Sequence, residues 1–151
     1  MDTKTYWNNF KKEHPEITTN KYDAFSLGSE GDIESNNKLA YLIRDGVKTA
    51  TASARELYDV DGDPIPKVGE YSIVLDGYEQ PVCIIKEVVV ETVPLMQVSA
   101  EHAYHEGEDS RGLDEWRRDH IAFFKREYEE EKLPFNENIP ILCEVFEVVY
   151  K

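Results

Sequence analysis

The chain has little basic charge, few cysteines and no long hydrophobic run, and each shortage argues against a class of protein. Its 151 residues include 17 lysines and arginines but 31 aspartates and glutamates, a formal net charge of −14. Tight binding to a nucleic-acid backbone depends on cationic contacts to phosphates, so this charge disfavours RNA as a partner and favours a small neutral ligand. No apolar stretch approaches the length of a membrane span, and the first residues lack the apolar core of a signal peptide. We therefore expect a cytoplasmic protein without a membrane partner.

The remaining bulk properties are those of an ordinary globular chain. Hydrophobic residues make up 40% of the sequence and charged residues 32%, and the length suits a single domain over residues 1–151. The two cysteines, Cys83 and Cys143, both lie in apolar strand-like runs. We expect buried, reduced thiols rather than a disulfide, in keeping with a cytoplasmic location.

Apolar spacing and turn residues predict a mixed α+β fold. Trp7, Phe10 and His14 lie at helical spacing and predict a first helix that ends before Pro15. A second helix is predicted over about 35–45, a short helix from Ser99 to Gly107, and a longer one from Leu113 to about Glu130. Strands are predicted from Lys48 onward and over 71–75, 82–93 and 141–150, with Asp76–Gly77 joining the second and third. Residues 20–34 and 59–66 read as a polar loop and a turn-rich segment. Strands separated by helices of unequal length favour α+β.

Residues 45–53, Asp-Gly-Val-Lys-Thr-Ala-Thr-Ala-Ser, place a lysine and two threonines where a helix ends and a strand begins. A desolvated lysine can lose its proton, and a neighbouring threonine hydroxyl can then become a nucleophile. The alternative is that Lys48 caps the helix dipole and that Thr49 and Thr51 are strand residues. Residues three apart on a regular strand point to opposite faces. Lys48 and Thr51 can therefore share a site only if Lys48 lies in the helix-to-strand turn, or if a bulge intervenes.

Glu106 is a further candidate, because a carboxylate at the C-terminal end of a helix is disfavoured as an anion and suits a proton donor. With His102 and His105 it also invites a zinc hypothesis, but the pattern is not a recognised zinc motif and offers no further ligand. Four acidic residues have the spacing of calcium ligands in a calcium-binding loop: Asp59, Asp61, Asp63 and Glu70. A proline stands at the position where such a loop needs glycine. We expect no metal.

Aromatic and basic residues are possible ligand contacts. Helical spacing favours a core position for Trp7, Trp116 and Phe124, and a hydrogen-bonded core histidine for His120. Tyr22 and Phe25 lie in the polar loop, where no core periodicity requires them, so Phe25 is the preferred clamp for a base. The basic residues between 111 and 126 alternate with acidic ones and indicate a solvated helix face; they are Arg111, Arg117, Arg118, Lys125 and Arg126.

The run Gly46-Val47-Lys48-Thr49-Ala50-Thr51 resembles the signature G-x-K-T-x-T of the ASCH domains, a branch of the PUA-like β-barrels. Further similarity lies in residues 68–71, 102–106 and 143–149, and the resemblance covers roughly residues 35–151. It implies a small barrel of about five or six strands with helices packed over its openings. Residues 1–34 would then form an N-terminal helix and loop added to this barrel region.

The resemblance also implies a chemistry. Some bacterial members are N4-acetylcytidine amidohydrolases, and their catalytic lysine, threonine and glutamate fall on Lys48, Thr51 and Glu106. Hydrolysis of a small acylated nucleoside-like molecule would need no cofactor, and backbone amides near Thr49 would be candidates to stabilise the oxyanion. The candidate substrate contacts are Thr49, Ser53, Phe25, Tyr22, Trp7, Arg117 and His120.

Two observations leave alternatives open. The motif of those hydrolases continues with an arginine where this chain has Ser53, which indicates a different substrate pocket. The PUA-like relationship also permits a non-catalytic module that binds RNA or a modified nucleotide, and some ASCH relatives cut RNA.

Overall fold

The computed structural model describes all 151 residues. It contains five α-helices, one 3₁₀ turn and five strands. In chain order these elements are α1 (Thr3–Glu13), β1 (Asp23–Phe25), α2 (Ile33–Arg44), β2 (Ala50–Ala54), α3 (Arg55–Asp61), β3 (Tyr71–Leu75), β4 (Pro81–Pro94), the 3₁₀ turn (Leu95–Gln97), α4 (Ala100–Glu106), α5 (Leu113–Glu130) and β5 (Pro140–Tyr150).

Local capping explains where several helices begin and end. The side chains of Asp2, Asp32 and Ser99 each accept a hydrogen bond from the backbone N–H three residues further on, which starts α1, α2 and α4. Gly62 and Gly107 adopt left-handed backbone conformations at the ends of α3 and α4, which glycine does without steric cost.

The strands form one sheet with the order β1-β3-β4-β5-β2. Strand β1 runs parallel to β3, whereas β3 pairs antiparallel with β4 and β2 antiparallel with β5. A largely antiparallel sheet combined with separate helices is the α+β class, so the predicted fold class is confirmed.

The chain divides into two compact units, and each has its own core. Unit 1 consists of residues 1–48, 67–88 and 146–151. One of its apolar clusters forms around Trp7, Phe10, Ile73 and Ile84. A second forms around Ala40, Ile43, Val74, Cys83, Ile85 and Phe146.

Unit 2 consists of residues 49–66 and 89–145. A single apolar cluster fills it and draws on β2, α4, α5 and β5, so the elements that carry most candidate site residues pack around one core. Its buried members are Ala54, Leu95, Val98, Ala103, Trp116, Phe124, Tyr128, Ile139, Ile141 and Cys143.

Three local predictions were wrong. The polar segment 20–34 contains a strand, β1, and the turn-rich segment 59–66 begins inside a helix, α3. The connection between β3 and β4 is a loop over residues 76–80, in which the Asp76 carboxylate accepts hydrogen bonds from the backbone of Tyr78 and Gln80. Strands β3 and β4 do pair as an antiparallel hairpin, but a loop over residues 76–80 with an Asx-type turn joins them in place of the expected Asp76–Gly77 pair.

No helix in this structure combines the length and apolar character needed to cross a bilayer. Cys83 and Cys143 are both buried and free, as the sequence predicts.

Candidate active site

Lys48 lies in the turn between α2 and β2. The chain leaves α2 through Gly46, at φ 77°, and the backbone N–H of Lys48 donates to the Leu42 carbonyl at 3.0 Å. Strand β2 begins two residues later, at Ala50. The condition that the sequence sets for Lys48, a position in the helix-to-strand turn, is therefore met. The side chain is only 2% exposed, which is unusual for lysine.

Strand β2 separates the small residues of the motif by face. Ala52 and Ala54 contact the core of unit 2. Thr51 and Ser53 alternate with them and so point to the other side of the strand. In the pairing with β5, Thr51 lies opposite Glu144, whose side chain is buried. The Thr51 hydroxyl thus belongs to a polar face and not to the apolar core.

The Ser53 hydroxyl is engaged by a residue of α3. Ser53 Oγ lies 2.8 Å from the hydroxyl of Tyr58, which α3 supplies. The Ser53 hydroxyl and the Tyr58 hydroxyl are therefore neighbours on the Thr51 side of β2. Tyr58 was missed in the sequence because helix α3 was not predicted.

Glu106 is the last residue of α4 and is 2% exposed. Its Oε2 accepts a hydrogen bond of 2.7 Å from the indole N–H of Trp116, and His102 Nε2 lies 2.9 Å from the same oxygen. Hydrogen bonds from protein donors replace part of the water that the carboxyl group loses on burial. Trp116 is a site residue that the sequence analysis assigned only to the core.

His120 completes this cluster from one turn further along α5. Its Nδ1 lies 2.8 Å from the carbonyl oxygen of Trp116, and its Nε2 lies 3.6 Å from Glu106 Oε1. The imidazole stacks on the Trp116 indole, with 4.0 Å between ring centroids and 15° between planes. Burial is the largest single influence and lowers the pKa of His120, but the Glu106 carboxylate and the carbonyl contact outweigh it, so the pKa is raised.

Thr49 connects the start of β2 to the end of α4. Its backbone N–H donates to the carbonyl of His105 at 2.8 Å, and its Oγ1 lies 3.5 Å from His105 Nδ1. This places the Thr49–Thr51 segment beside the helix that carries Glu106. The same bond occupies the Thr49 amide, so an oxyanion would have to use other backbone amides near Thr49, and that role stays a prediction.

The aromatic candidates of unit 1 belong to its core. Trp7 is 2% exposed and stacks on Tyr22 at 4.9 Å, which leaves no open ring face for a base. Phe25 is the last residue of β1 and packs, partly buried, against the cluster that includes Ile43. Its expected position in a polar loop is wrong, and its role as a clamp remains a prediction.

Arg117 is not on a solvated helix face, in contrast to the expectation for the basic residues of α5. Its Nη2 donates to the carbonyls of Met96 and Val98 at 3.2 and 3.5 Å, so the guanidinium anchors α5 to the 3₁₀ turn. Arg118 does follow the expectation: it is 72% exposed and pairs with Asp119 and Glu115.

The residues considered for a metal do not point in one direction. His102 contacts Glu106, whereas His105 lies beside Thr49. Asp59 and Asp61 belong to helix α3 and not to a calcium loop. A different acidic group, Asp109, Glu115 and Asp119, has ligand atoms within 4.8 Å of one another at the surface.

The sequence matches the ASCH domain family over residues 23–150, and the chain belongs to this family. A crystal structure of protein EF3133 from Enterococcus faecalis is similar, with 37% identity, a TM-score of 0.86, and coverage of 97% of this chain and 86% of that one. An ASCH domain from Lactobacillus crispatus shares 28% identity at a TM-score of 0.84, covering 100% and 97% of the two chains. No curated relative matches the sequence. Family membership supports a general RNA-binding or hydrolase-like module with a PUA-like fold.

Proposed function

We propose that this ASCH domain hydrolyses the amide of a small acylated nucleoside-like molecule, with Lys48, Thr51 and Glu106 as the catalytic residues. The observation that carries the proposal is burial: the lysine and the glutamate that match the amidohydrolase residues are each only 2% exposed. Lysine and glutamate are almost never buried to this degree unless they are paired, and buried ionisable groups of this kind are concentrated at functional sites. Thr51, on the polar face of β2, supplies the hydroxyl.

The reaction proceeds in two balanced steps. Lys48, acting as the base, takes the proton of the Thr51 hydroxyl as Thr51 Oγ attacks the acyl carbon, and the C–N bond then breaks as Glu106 protonates the leaving amine. Water next attacks the threonine ester and gives its proton to Glu106. The carboxylic acid leaves, and Lys48 returns its proton to Thr51. No cofactor enters either step.

The test begins with a panel of N-acylated nucleosides, incubated with the protein and separated by chromatography. Thr51→Ala and Lys48→Ala should each abolish turnover almost as completely as the double variant, because a nucleophile and its base act as a unit. Lys48→Arg should fail as well, since a guanidinium stays protonated.

Thr49→Ala is the matched control for the loss of Thr51. It removes a neighbouring hydroxyl but leaves the backbone bond to His105 intact, so it should retain most activity. Turnover by Thr51→Ala at the parent rate would exclude threonine as the nucleophile.

The family also favours a second candidate function, a module that binds RNA or a modified nucleotide, or that cuts RNA. Salt dependence separates the two functions, because RNA binding weakens steeply with salt whereas turnover of a neutral nucleoside scarcely responds. Arg118→Ala removes an exposed cation and should leave nucleoside turnover unchanged. A large loss of RNA affinity in this variant would favour the binding module.

A further inference from the structure

The two oxygens of the Glu106 carboxyl group face different partners. Oε2 receives the Trp116 indole N–H at 2.7 Å and lies 2.9 Å from His102 Nε2. Oε1 faces His120 Nε2 at 3.6 Å. Both His102 and Glu106 are nearly excluded from solvent, with 10% and 3% of their side chains exposed, and His120 is 23% exposed. Solvent screening of the contact with His120 is therefore weak.

The other nitrogen of His120 fixes where its protons are. Nδ1 lies 2.8 Å from the Trp116 carbonyl, which can only accept, so Nδ1 carries a hydrogen. A neutral imidazole would then direct the lone pair of Nε2 at a carboxyl oxygen. Two lone pairs facing each other in a desolvated site are repulsive. A proton on Nε2 removes this repulsion and makes the 3.6 Å contact with Oε1 an ion pair, which is longer than a hydrogen bond.

We propose that Glu106 and His120 share one proton, and that His120 is a positioning residue that holds this proton for Glu106. The second part rests on the function proposed above. His120 would supply the proton that Glu106 gives to the leaving amine, and it would receive the proton that water returns, so the pair ends each cycle unchanged.

The surroundings of the pair favour the charged imidazole. His102, on α4, forms a hydrogen bond with Oε2 of Glu106. Glu108 follows the end of α4, and its charge raises the pKa of His120. From β5, the Cys143 thiol has a pKa raised to about 12, mainly by burial and also by Glu106, so it stays neutral. The face of the Trp116 indole, stacked on the imidazole, also attracts a cation.

The first experiment needs no substrate. We would follow the imidazole nitrogens by ¹H–¹⁵N correlation NMR across pH, in the parent protein and in Glu106→Gln. In the parent, both His120 nitrogens should be protonated at neutral pH. In Glu106→Gln the titration of His120 should move to lower pH than in the parent, because the carboxylate that opposes the effect of burial is gone. His14, which belongs to unit 1 and pairs with Glu16, provides an internal reference in the same spectra.

A His120 titration that is the same in both proteins, or a parent His120 with one bare nitrogen at neutral pH, overturns the shared proton. The protonation of the His120 nitrogens is measured in the parent protein alone. This measurement therefore tests the shared proton even if Glu106→Gln fails to fold.

The second experiment tests the positioning role through the pH profile of turnover. His120→Asn should lower kcat by roughly 10²-fold with little change in KM, and it should remove the limb of the profile that follows the His120 titration. An unchanged profile in His120→Asn overturns the positioning role. A parent protein that hydrolyses no acylated nucleoside overturns the proposed function and this role with it, and the NMR titration still decides the shared proton by itself.

Discussion

Replacing Trp116 with phenylalanine should destabilise the protein more than the same change at Trp7. Both indoles are buried in apolar clusters, with 7% and 2% exposed, so both changes remove the same atoms from a core. Only Trp116 uses its N–H, which donates to the buried Glu106 carboxyl at 2.7 Å. The indole N–H of Trp7 has no hydrogen-bond partner.

The difference between the two variants therefore contains the loss of one hydrogen bond to a charged group at Trp116, together with the relief of one unpaired indole N–H at Trp7. Such a bond contributes about 1.5–3 kcal/mol, and its loss also leaves a buried carboxyl oxygen with one donor fewer. We expect Trp116→Phe to lower the free energy of unfolding by that amount beyond Trp7→Phe. For a protein of this size the difference corresponds to several degrees in Tm, at about 2–4 °C per kcal/mol.

Urea denaturation at pH 7, followed by far-ultraviolet circular dichroism, measures both variants without relying on tryptophan fluorescence. Equal losses of stability in the two variants would refute the reasoning, because the Trp116 bond would then contribute nothing net.

Two further predictions concern ionisation. The Lys21 ammonium and the Lys67 backbone N–H, 2.7 and 2.6 Å from the Glu70 carboxylate, lower its pKa. A carboxyl group whose pKa is lower in the folded state stabilises the protein at pH values above its unfolded-state pKa, and this stabilisation is lost as the pH falls through the folded-state pKa. In urea titrations, Glu70→Gln should therefore lose less stability than the parent between pH 7 and pH 3. An equal loss of the free energy of unfolding in the parent and in Glu70→Gln between pH 7 and pH 3 would contradict this prediction. Burial raises the pKa of Cys83 and Cys143 to about 12. At pH 8, native protein should therefore react with an aromatic disulfide far more slowly than denatured protein. Prompt labelling of the native thiols would show that they are accessible.

Elements with local signals could be predicted from the sequence, and elements that depend on distant pairing could not. Ser99 and Gly107 delimit α4 because capping involves only neighbouring residues. Strand β1 is three residues long and forms only because β3, almost fifty residues later, pairs with it in parallel. Helix α3 was missed because Ala54, at its start, provides no side-chain cap, and because its sequence is rich in aspartate.

The candidate site follows the same division. The motif indicates Lys48 and Thr51, and α4 carries Glu106, so the catalytic candidates were all visible in the sequence. The partners of Glu106 were not, because the spacing of Trp116 and His120 on α5 reports only that they face inward. One signal was available: a buried tryptophan usually needs an acceptor for its indole N–H, and Glu106 is such an acceptor.

The bond between Thr49 and His105 has a consequence for how this motif can vary. The shorter of the contacts between these residues is a hydrogen bond of 2.8 Å from the backbone N–H of Thr49 to the backbone carbonyl of His105. The link between β2 and α4 therefore does not depend on which side chain stands at position 49. Most replacements there would preserve the link, whereas proline, which has no N–H, would cut it. In a library of variants, the folded protein should therefore tolerate many residues at position 49 but not proline. That pattern would show that the link depends on the backbone N–H and not on the side chain.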